Sequence, residues 1–539
     1  MAEKLRSAVI VGGGTAGWMA GLALSRRLLN AADCKVSVVE APDVPSIGVG
    51  EATVPHLRFT LNALGLDENE FMRRTGATFK LGMKFVNWAD PSSGDMYWSP
   101  FSPDPTPAAF ARSINAYLLK LDGSKRERFD YSGSGFVNAW LSERAKAPKF
   151  GTEDPYRGQV TYAYHFDAIR LAELLREKAI NAGVTHIRDT VVDTVVDERG
   201  FIRSLRTQEG RELTADLFID CSGFRGLLIN RALKEPFISY GSHLLCDRTL
   251  ALPLPTDPAS TRVASYTTAT AASHGWIFET PLFHRRGTGY VYSSAFTSDD
   301  DAEQELRRHL GIGSTGGRSP RRIDMRVGRT RCAWVGNCVS LGLATGFTDP
   351  LHATSILLIE RGLYFLDMYF PDREFAPALA EVYNRKIAEG FEATLEFIFL
   401  HYFASPRRDS PFWRAATAAP TPGGAGELLE LWDRLTFETG PFVAPISHIA
   451  WTFGTFAVPN MLLGVGRLPK RALDAVRRDA PPPSGGDAVS LAGVGHRLAS
   501  LPDHAAYLAL LNDGTLDEFR ELLSRRSSHR LQANSAGFS

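Results

Sequence analysis

The chain has 539 residues, with 60 Lys and Arg against 60 Asp and Glu, 44% hydrophobic and 22% charged, the profile of an ordinary globular protein with room for two or three substructures. The balance of charge excludes a global field that would draw in nucleic acid or an anionic membrane, and leaves a small molecule as the expected partner. Five cysteines (Cys34, Cys221, Cys246, Cys332 and Cys338), odd in number and without a CxxC pair, argue against a disulfide framework and a zinc site and point to a reducing, cytoplasmic setting. The first apolar run, Ala8–Val11, is far too short for a signal peptide, and no stretch reaches the ~20 apolar residues of a membrane span.

In chain order, Ala8–Gly21 read as a β-branched strand, the turn Gly12-x-Gly14-x-x-Gly17 and a small-residue helix start, and Val36–Glu40 form a second strand that ends on a carboxylate. This is the dinucleotide fingerprint in its required setting. Gly12 allows the tight turn, Gly14 lets backbone N–H groups approach a pyrophosphate at the helix N-terminus, and Glu40 can accept from a ribose diol. Residues 90–160 follow as an irregular, aromatic-rich region with Tyr97, Trp98, Phe101, Tyr131, Phe136, Trp140, Tyr156 and Tyr162, and loops of that length are usually functional. Asp167–Ala182 predicts an amphipathic helix with Ile169, Leu171, Leu174, Leu175 and Ala179 on or near one face. Three strands come next, Asp189–Asp197, Phe201–Thr207 and Glu212–Asp220, separated by turns at Arg199-Gly200 and Glu209-Gly210. Residues 235–330 read as mainly β, and the chain from Ser355 onward as chiefly helical. The run Pro-Pro-Pro-Ser-Gly-Gly at 481–486 marks a loop or linker, and the polar tail Ser527–Ser539 is predicted to be disordered.

Two later segments read as returns to the nucleotide. Leu213–Gly226 is a strand that ends at Asp220-Cys-Ser-Gly223, and Arg331–Pro350 is a strand and glycine-rich turn carrying Gly336-Asn337. Both resemble places where FAD-dependent hydroxylases bring late strands back to the cofactor, with Gly336-Asn337 standing for a Gly-Asp pair at the ribityl chain. A nicotinamide enzyme usually needs one such unit, so the order of the three segments favours FAD.

The motifs Ile47-Gly-Val-Gly-Glu-Ala-Thr-Val-Pro55, Phe79-Lys80-Leu-Gly-Met-Lys-Phe-Val-Asn-Trp88, Tyr164-His-Phe-Asp-Ala168, Asp220-Cys-Ser-Gly-Phe-Arg-Gly226 and Gly336-Asn-Cys338 through Pro350-Leu351 together resemble the flavin-dependent tryptophan halogenases, densely to about residue 370 and more weakly beyond. The resemblance implies an α/β, FAD-binding fold of the flavin hydroxylase type, in two or three layers. It divides into 1–370, which binds FAD and carries the aromatic-rich and β substrate insertions, and a helical, substrate-covering 371–539. It also implies that FAD is used as FADH2, delivered by a separate NAD(P)H-dependent flavin reductase. A flavin hydroperoxide formed with oxygen is attacked by chloride or bromide, and the hypohalous acid passes through a tunnel to a lysine beside an aromatic substrate. Lys80 matches that lysine. Between Phe79 and Phe85 an amine can be desolvated toward neutrality or can hydrogen-bond the oxidant as an ammonium. Cofactor contacts carried over by the resemblance are Gly12, Gly14, Thr15, Ala16, Gly17, Glu40, Ala52, Asp220, Gly336 and Leu351. No metal is implied, and a homodimer is compatible with the family.

The chain departs from the family at three places. The family run Pro-Leu-Glu-Ser-Thr-Gly is here Pro350-Leu351-His352-Ala353-Thr354-Ser355. Thr354 and Ser355, at the start of a helix, keep the capacity to hold halide, but His352 replaces the glutamate and offers either a catalytic base or a buried loop histidine. The W-x-W-x-I-P motif is here Trp276-Ile-Phe278-Glu-Thr280-Pro281, with bulk to wall off the flavin or simply to pack a sheet. Trp98-Ser99-Pro100-Phe101 keeps Phe101 for stacking on an aromatic ring but has Ser99 where tryptophan halogenases tend to place histidine. Trp451, Tyr402 and Trp432 are candidate wall residues. The substrate implied is an indole- or phenol-like aromatic other than free tryptophan. The alternative is a monooxygenase or other oxidase of the same fold that uses no halide, because the carboxylate is lost.

Overall fold

The computed structural model describes residues 3–29, 33–43, 48, 51–92, 94–101, 113–114, 117–118, 129, 131, 135–256, 263–313, 318–434, 453, 456–471 and 498–518. The linker at 481–486, the tail 527–539 and Trp451 are outside these residues.

The fingerprint folds as strand Ser7–Val11, helix Thr15–Leu28 and strand Lys35–Glu40, the strands being parallel neighbours with Ile10 opposite Val38. Ile10, Val11, Val38 and Val39 are all buried, as a β-branched run must be when both faces of a parallel sheet are covered. The six-stranded sheet runs Trp334–Val335, Cys338–Ser340, Leu217–Asp220, Ser7–Val11, Lys35–Glu40, Thr185–Arg188. Both later segments therefore take places on one side of the first strand. Glu212–Asp220, expected as one strand, is two. Glu212–Leu213 closes an antiparallel meander with Val191–Val196 and Ile202–Thr207, whereas Leu217–Asp220 joins the parallel sheet. The break falls at Asp216, whose carboxylate accepts from the Arg6 and Ser7 amides and so leaves the meander to meet the first strand.

An eight-stranded sheet follows the path Arg321–Asp324, Arg248–Ala251, Arg285–Tyr292, Gly275–Pro281, Thr267–Ala272, Gly82–Val86, Met96–Pro100, with Leu254–Pro255 paired to Arg285–Tyr292. The mainly β character read over 235–330 is borne out: most of its strands join this sheet, whereas Phe237–Ser239 and Gly328–Thr330 pair in a separate three-stranded sheet with Gly346–Phe347, and Asp299–Leu310 is a helix. The aromatic-rich region, expected to be irregular, contributes the strand Met96–Pro100 and the helix Val137–Glu143. Its Tyr97, Tyr131, Phe136 and Tyr162 side chains enter the core, so their apolar area stabilises the fold directly.

The helix Ala168–Asn181 is N-capped by Asp167, which accepts from the Ile169 and Arg170 amides. It buries Leu171, Leu174, Leu175 and Ala179. Ile169, read onto that face, is instead exposed, because 100° steps carry it off the stripe that Leu171, Leu175 and Ala179 define. From Thr354 the described chain is helical in Thr354–Met368, Pro377–Phe403, Pro411–Ala416, Ala425–Arg434, Ala457–Gly464 and His504–Asn512. The largest buried apolar cluster takes residues from Leu5 through Leu516. Among the described residues no helix is long and apolar enough to cross a membrane, no cluster of potential metal ligands occurs, and the five cysteines are free.

Candidate active site

A cavity of about 530 Å³ opens at the ends of the first two parallel strands and runs to the eight-stranded sheet. At the strand end its wall is Gly12, Gly13, Gly14, Thr15, Ala16, Glu40 and Ala52. The three fingerprint glycines differ in what they do. Gly12 has φ +120°, and a Cβ there would strike the Cys221 carbonyl; a Cβ on Gly17 would strike the Gly12 carbonyl. A Cβ on Gly14 meets nothing within 4 Å and would project into the cavity. Helix Thr15–Leu28 begins there with no side chain capping it, so its first N–H groups are available to an anion. The Glu40 carboxylate lies against Gly13 and takes a 2.8 Å contact from His186 Nε2 on Oε2.

At the other end the cavity reaches Lys80, Met83, Thr267, Trp276, Phe278 and Thr280. Lys80 ends the strand Thr78–Lys80, which pairs with Ala163–Phe166. Its neighbours are pinned from several directions. The Phe79 N–H donates to His504 Nε2 at 3.1 Å, and His504 Nδ1 donates to the Val263 carbonyl at 3.1 Å. Thr78 Oγ1 donates to the Pro281 carbonyl at 2.5 Å and takes a 3.0 Å contact from His165 Nδ1. Leu81 N–H donates to the Ser265 carbonyl. The Lys80 side chain is fully buried, its Nζ has no hydrogen-bond partner among the described residues, and it stands 5.1 Å from the centre of the Phe101 ring. Burial lowers its pKa from 10.5 to about 7, since an unpaired ammonium in an apolar site loses its hydration.

A second polar group, Asp349, is buried behind Trp276. It accepts from Trp276 Nε1 at 3.1 Å, from the Tyr402 hydroxyl at 2.5 Å and from the Leu351 amide at 3.0 Å. Burial pushes its pKa up to about 6 against the lowering effect of those donors. Asp349 thereby fixes the indole that walls the cavity and starts the turn that follows. In that turn His352 (φ +68°) and Ala353 (φ +58°) both take left-handed backbone, a conformation that costs an L-residue about 1–2 kcal/mol. Successive amides in such turns form anion-binding concavities, and helix Thr354–Met368 leaves the turn with no side-chain cap.

The strained turn divides its residues between two spaces. Pro350, Ala353 and Ser355 line the cavity. The His352 ring points instead among Phe85, Phe397 and Phe453, with ring centres 5.3, 4.6 and 6.0 Å away, and its Nε2 is 2.9 Å from His401 Nε2. Burial, then His401, then Lys80 hold His352 well below the usual imidazole range.

Of the residues singled out in the sequence, Gly12, Gly14, Thr15, Ala16, Glu40, Ala52, Lys80, Trp276, Phe278 and Ser355 line one cavity. Phe101 stands against Lys80. Several others are placed elsewhere. Asp220 lies beneath the cavity wall, its oxygens taken by Ser222 and by the Leu228 and Ile229 amides. Gly336 faces Gly200 and Phe201, and Asn337 clips Ile202, whereas Gly342 and Leu343 reach the cavity. Leu351 and Thr354 are buried in the turn, and Pro281 acts through its carbonyl on Thr78. Tyr402 holds Asp349, and Trp432 donates to the Arg467 carbonyl. Sequence reasoning missed Asp349, although it stands directly before Pro350 in the last of the family motifs, and missed His165, although it stands inside Tyr164-His-Phe-Asp-Ala168; His401 and His504 lie in no motif and have no local signal.

The family model for tryptophan halogenase matches residues 7–478. The chain is 37% identical over 501 residues to tryptophan 6-halogenase ThaL of Streptomyces albogriseolus, covering 88% of this chain and 92% of that one. It is 39% identical over 451 residues to tryptophan 7-halogenase RebH of Lentzea aerocolonigenes, covering 80% and 82%. Among solved structures, Tar14, a tryptophan C-6 flavin-dependent halogenase from taromycin biosynthesis, matches with a TM-score of 0.80 at 33% identity, over 94% of this chain and 99% of that one. With this mixed α/β architecture and that extent of likeness, the chain belongs to the tryptophan halogenase family of flavin-dependent halogenating enzymes.

Proposed function

We propose that this protein is a two-component halogenase that installs chloride or bromide on an indole- or phenol-like substrate other than free tryptophan. The observation that carries this is Lys80: an amine with no hydrogen-bond partner among the described residues, buried at the wall of the cavity beside an aromatic ring. FAD fits the nucleotide end, where Gly14 leaves room for a pyrophosphate, the uncapped helix offers N–H donors and Glu40 presents its carboxylate to a ribose. When bound, the reduced cofactor supplies, with dioxygen, the oxidising equivalents that convert halide to hypohalous acid. Ser355 and the turn amides hold the halide next to the cavity. Trp276, clamped by Asp349, and Phe278 wall the cofactor from the aromatic substrate. Lys80 receives the oxidant and directs it to the aromatic carbon, and His352, on the side of the turn away from the cavity, takes up the ring proton. The described helices Pro377–Phe403, Pro411–Ala416, Ala425–Arg434, Ala457–Gly464 and His504–Asn512 cover the substrate. A separate NAD(P)H-dependent reductase delivers the reduced flavin.

The test is mass spectrometry of an indole and phenol panel incubated with the protein, a flavin reductase, NADH, oxygen and bromide or chloride. Halogenated product is expected only with halide, and Lys80→Ala should abolish it while reduced flavin is still oxidised. Oxygenated product formed equally well without halide would replace this function with a monooxygenase.

A further inference from the structure

The His401 ring is held at both nitrogens. Its Nδ1 is 2.8 Å from the Phe397 carbonyl oxygen, which can only accept, so Nδ1 carries the hydrogen. A neutral imidazole protonated there has a lone pair on Nε2, and that atom is 2.9 Å from Nε2 of His352. Burial keeps His401 neutral, with its pKa lowered to about 4. Both rings are then uncharged, one hydrogen lies between the two Nε2 atoms, and it belongs to His352.

We infer, on the reading that His352 takes the ring proton, that His401 is a positioning residue which fixes His352 as the Nε2–H tautomer and so leaves Nδ1 as its basic lone pair. The hydrogen bond at one imidazole nitrogen decides the state of the other. In the step served, the aromatic carbon bonds to the halogen of hypohalous acid while the oxygen–halogen pair leaves with oxygen as hydroxide. The C–H electron pair returns to the ring, and the proton passes to Nδ1 of His352. Release of that proton to the hydroxide completes water. The titratable groups that bear on His352 are His401 from the long helix and Lys80 from its strand, while Asp349, earlier in the turn, is committed to Trp276, Tyr402 and Leu351. Among the described residues its other ring neighbours are Phe85, Phe397 and Phe453, whose side chains offer no competing acceptor.

Selective ¹⁵N labelling of histidine in the whole protein, with His352 assigned by its absence in His352→Gln, reads the tautomer directly. The expected spectrum has a protonated Nε2 and an unprotonated Nδ1 at His352. His401→Leu should mix the two tautomers and lower kcat for halogenation by about tenfold or more, because a positioned base is worth 10²–10⁴-fold. His401→Gln, whose amide oxygen can accept the same hydrogen, should keep the tautomer and return kcat to within about threefold. An Nδ1–H tautomer in the wild type, full activity in His401→Leu, or no rescue by Gln overturns the positioning role. Should the Leu variant not fold, the wild-type spectrum and the Gln variant still decide. Because the spectrum needs no turnover, the expected tautomer in a wild-type protein that makes no halogenated product would overturn the proposed function and not the tautomer assignment.

Discussion

Replacing Lys80 by methionine keeps the aliphatic stem, removes the amine and should make the protein more stable while ending halogenation. Lys80 is fully buried, Nζ has no hydrogen-bond partner among the described residues, and burial lowers its pKa from 10.5 to about 7. The unfolded chain keeps the ordinary value, so between these two pH values it binds more protons than the folded one, and wild-type stability rises with pH across that window. The penalty is therefore complete below about pH 7 and gone above 10.5. The gap between the two values, at ~1.4 kcal/mol per pH unit, sets a ceiling of ~5 kcal/mol. By about pH 9 the same linkage leaves ~2 kcal/mol. Lys80→Met should thus gain several kcal/mol over wild type at about pH 6 and lose ~2–3 kcal/mol of that advantage by about pH 9. Urea unfolding of both proteins at the two pH values measures the difference. An advantage that does not change with pH, or a variant less stable than wild type, would refute the account of a buried, unpaired amine kept for its chemistry at the expense of stability.

Gly14→Val should fold normally, since a Cβ there meets no protein atom, yet lose FAD affinity because the side chain enters the space a pyrophosphate needs; titration of FAD into the variant measures it, and wild-type affinity would place the cofactor elsewhere. NADH alone should reduce flavin held by this protein far more slowly than NADH with a reductase, because one fingerprint is present and it is assigned to FAD; stopped-flow bleaching at equal rates would exclude a two-component enzyme. His352→Glu should keep or raise halogenation, and any pH limb near 7 should survive it, because that limb belongs to Lys80 while His352 stays neutral until pH falls well below 6.5; a limb that moves with the substitution would reverse this assignment.

The glycine end of the cavity was legible because its determinants are local: three glycines within six positions, two of them held by backbone contacts and the third open to the cavity, and a carboxylate at the end of the next strand. Lys80 was legible through its motif. Two carboxylates at strand ends looked alike in sequence, but Glu40 faces the cavity whereas the Asp220 oxygens are consumed by a hydroxyl and three amides of the turn behind it. Gly336 and Gly342 both adopt positive φ, 56° and 64°, so turn chemistry could not separate them; only Gly342 packs on the fingerprint helix at Ala16. The Asp349–Trp276 and His352–His401 pairs join positions 73 and 49 residues apart, and such partners are set by how sheet and helix pack, which no single stretch of sequence records.

The hydrogen bond from Phe79 to His504 spans 425 residues. At a ribosomal rate of about 5–20 residues per second, the strand that carries Lys80 is synthesised roughly 20–85 s before its partner in the helix His504–Asn512. Throughout that interval the nascent protein has a free backbone amide and apolar surface where the finished one has a sealed wall. The same contact closes one of the longest loops in the chain, so its entropy is charged late and all at once. Production of active protein should accordingly depend on chaperone capacity and temperature more than the stability of the finished fold would suggest, and a chain stopped shortly before residue 504 would leave the ribosome with its nucleotide turn encoded but its lysine strand unsecured.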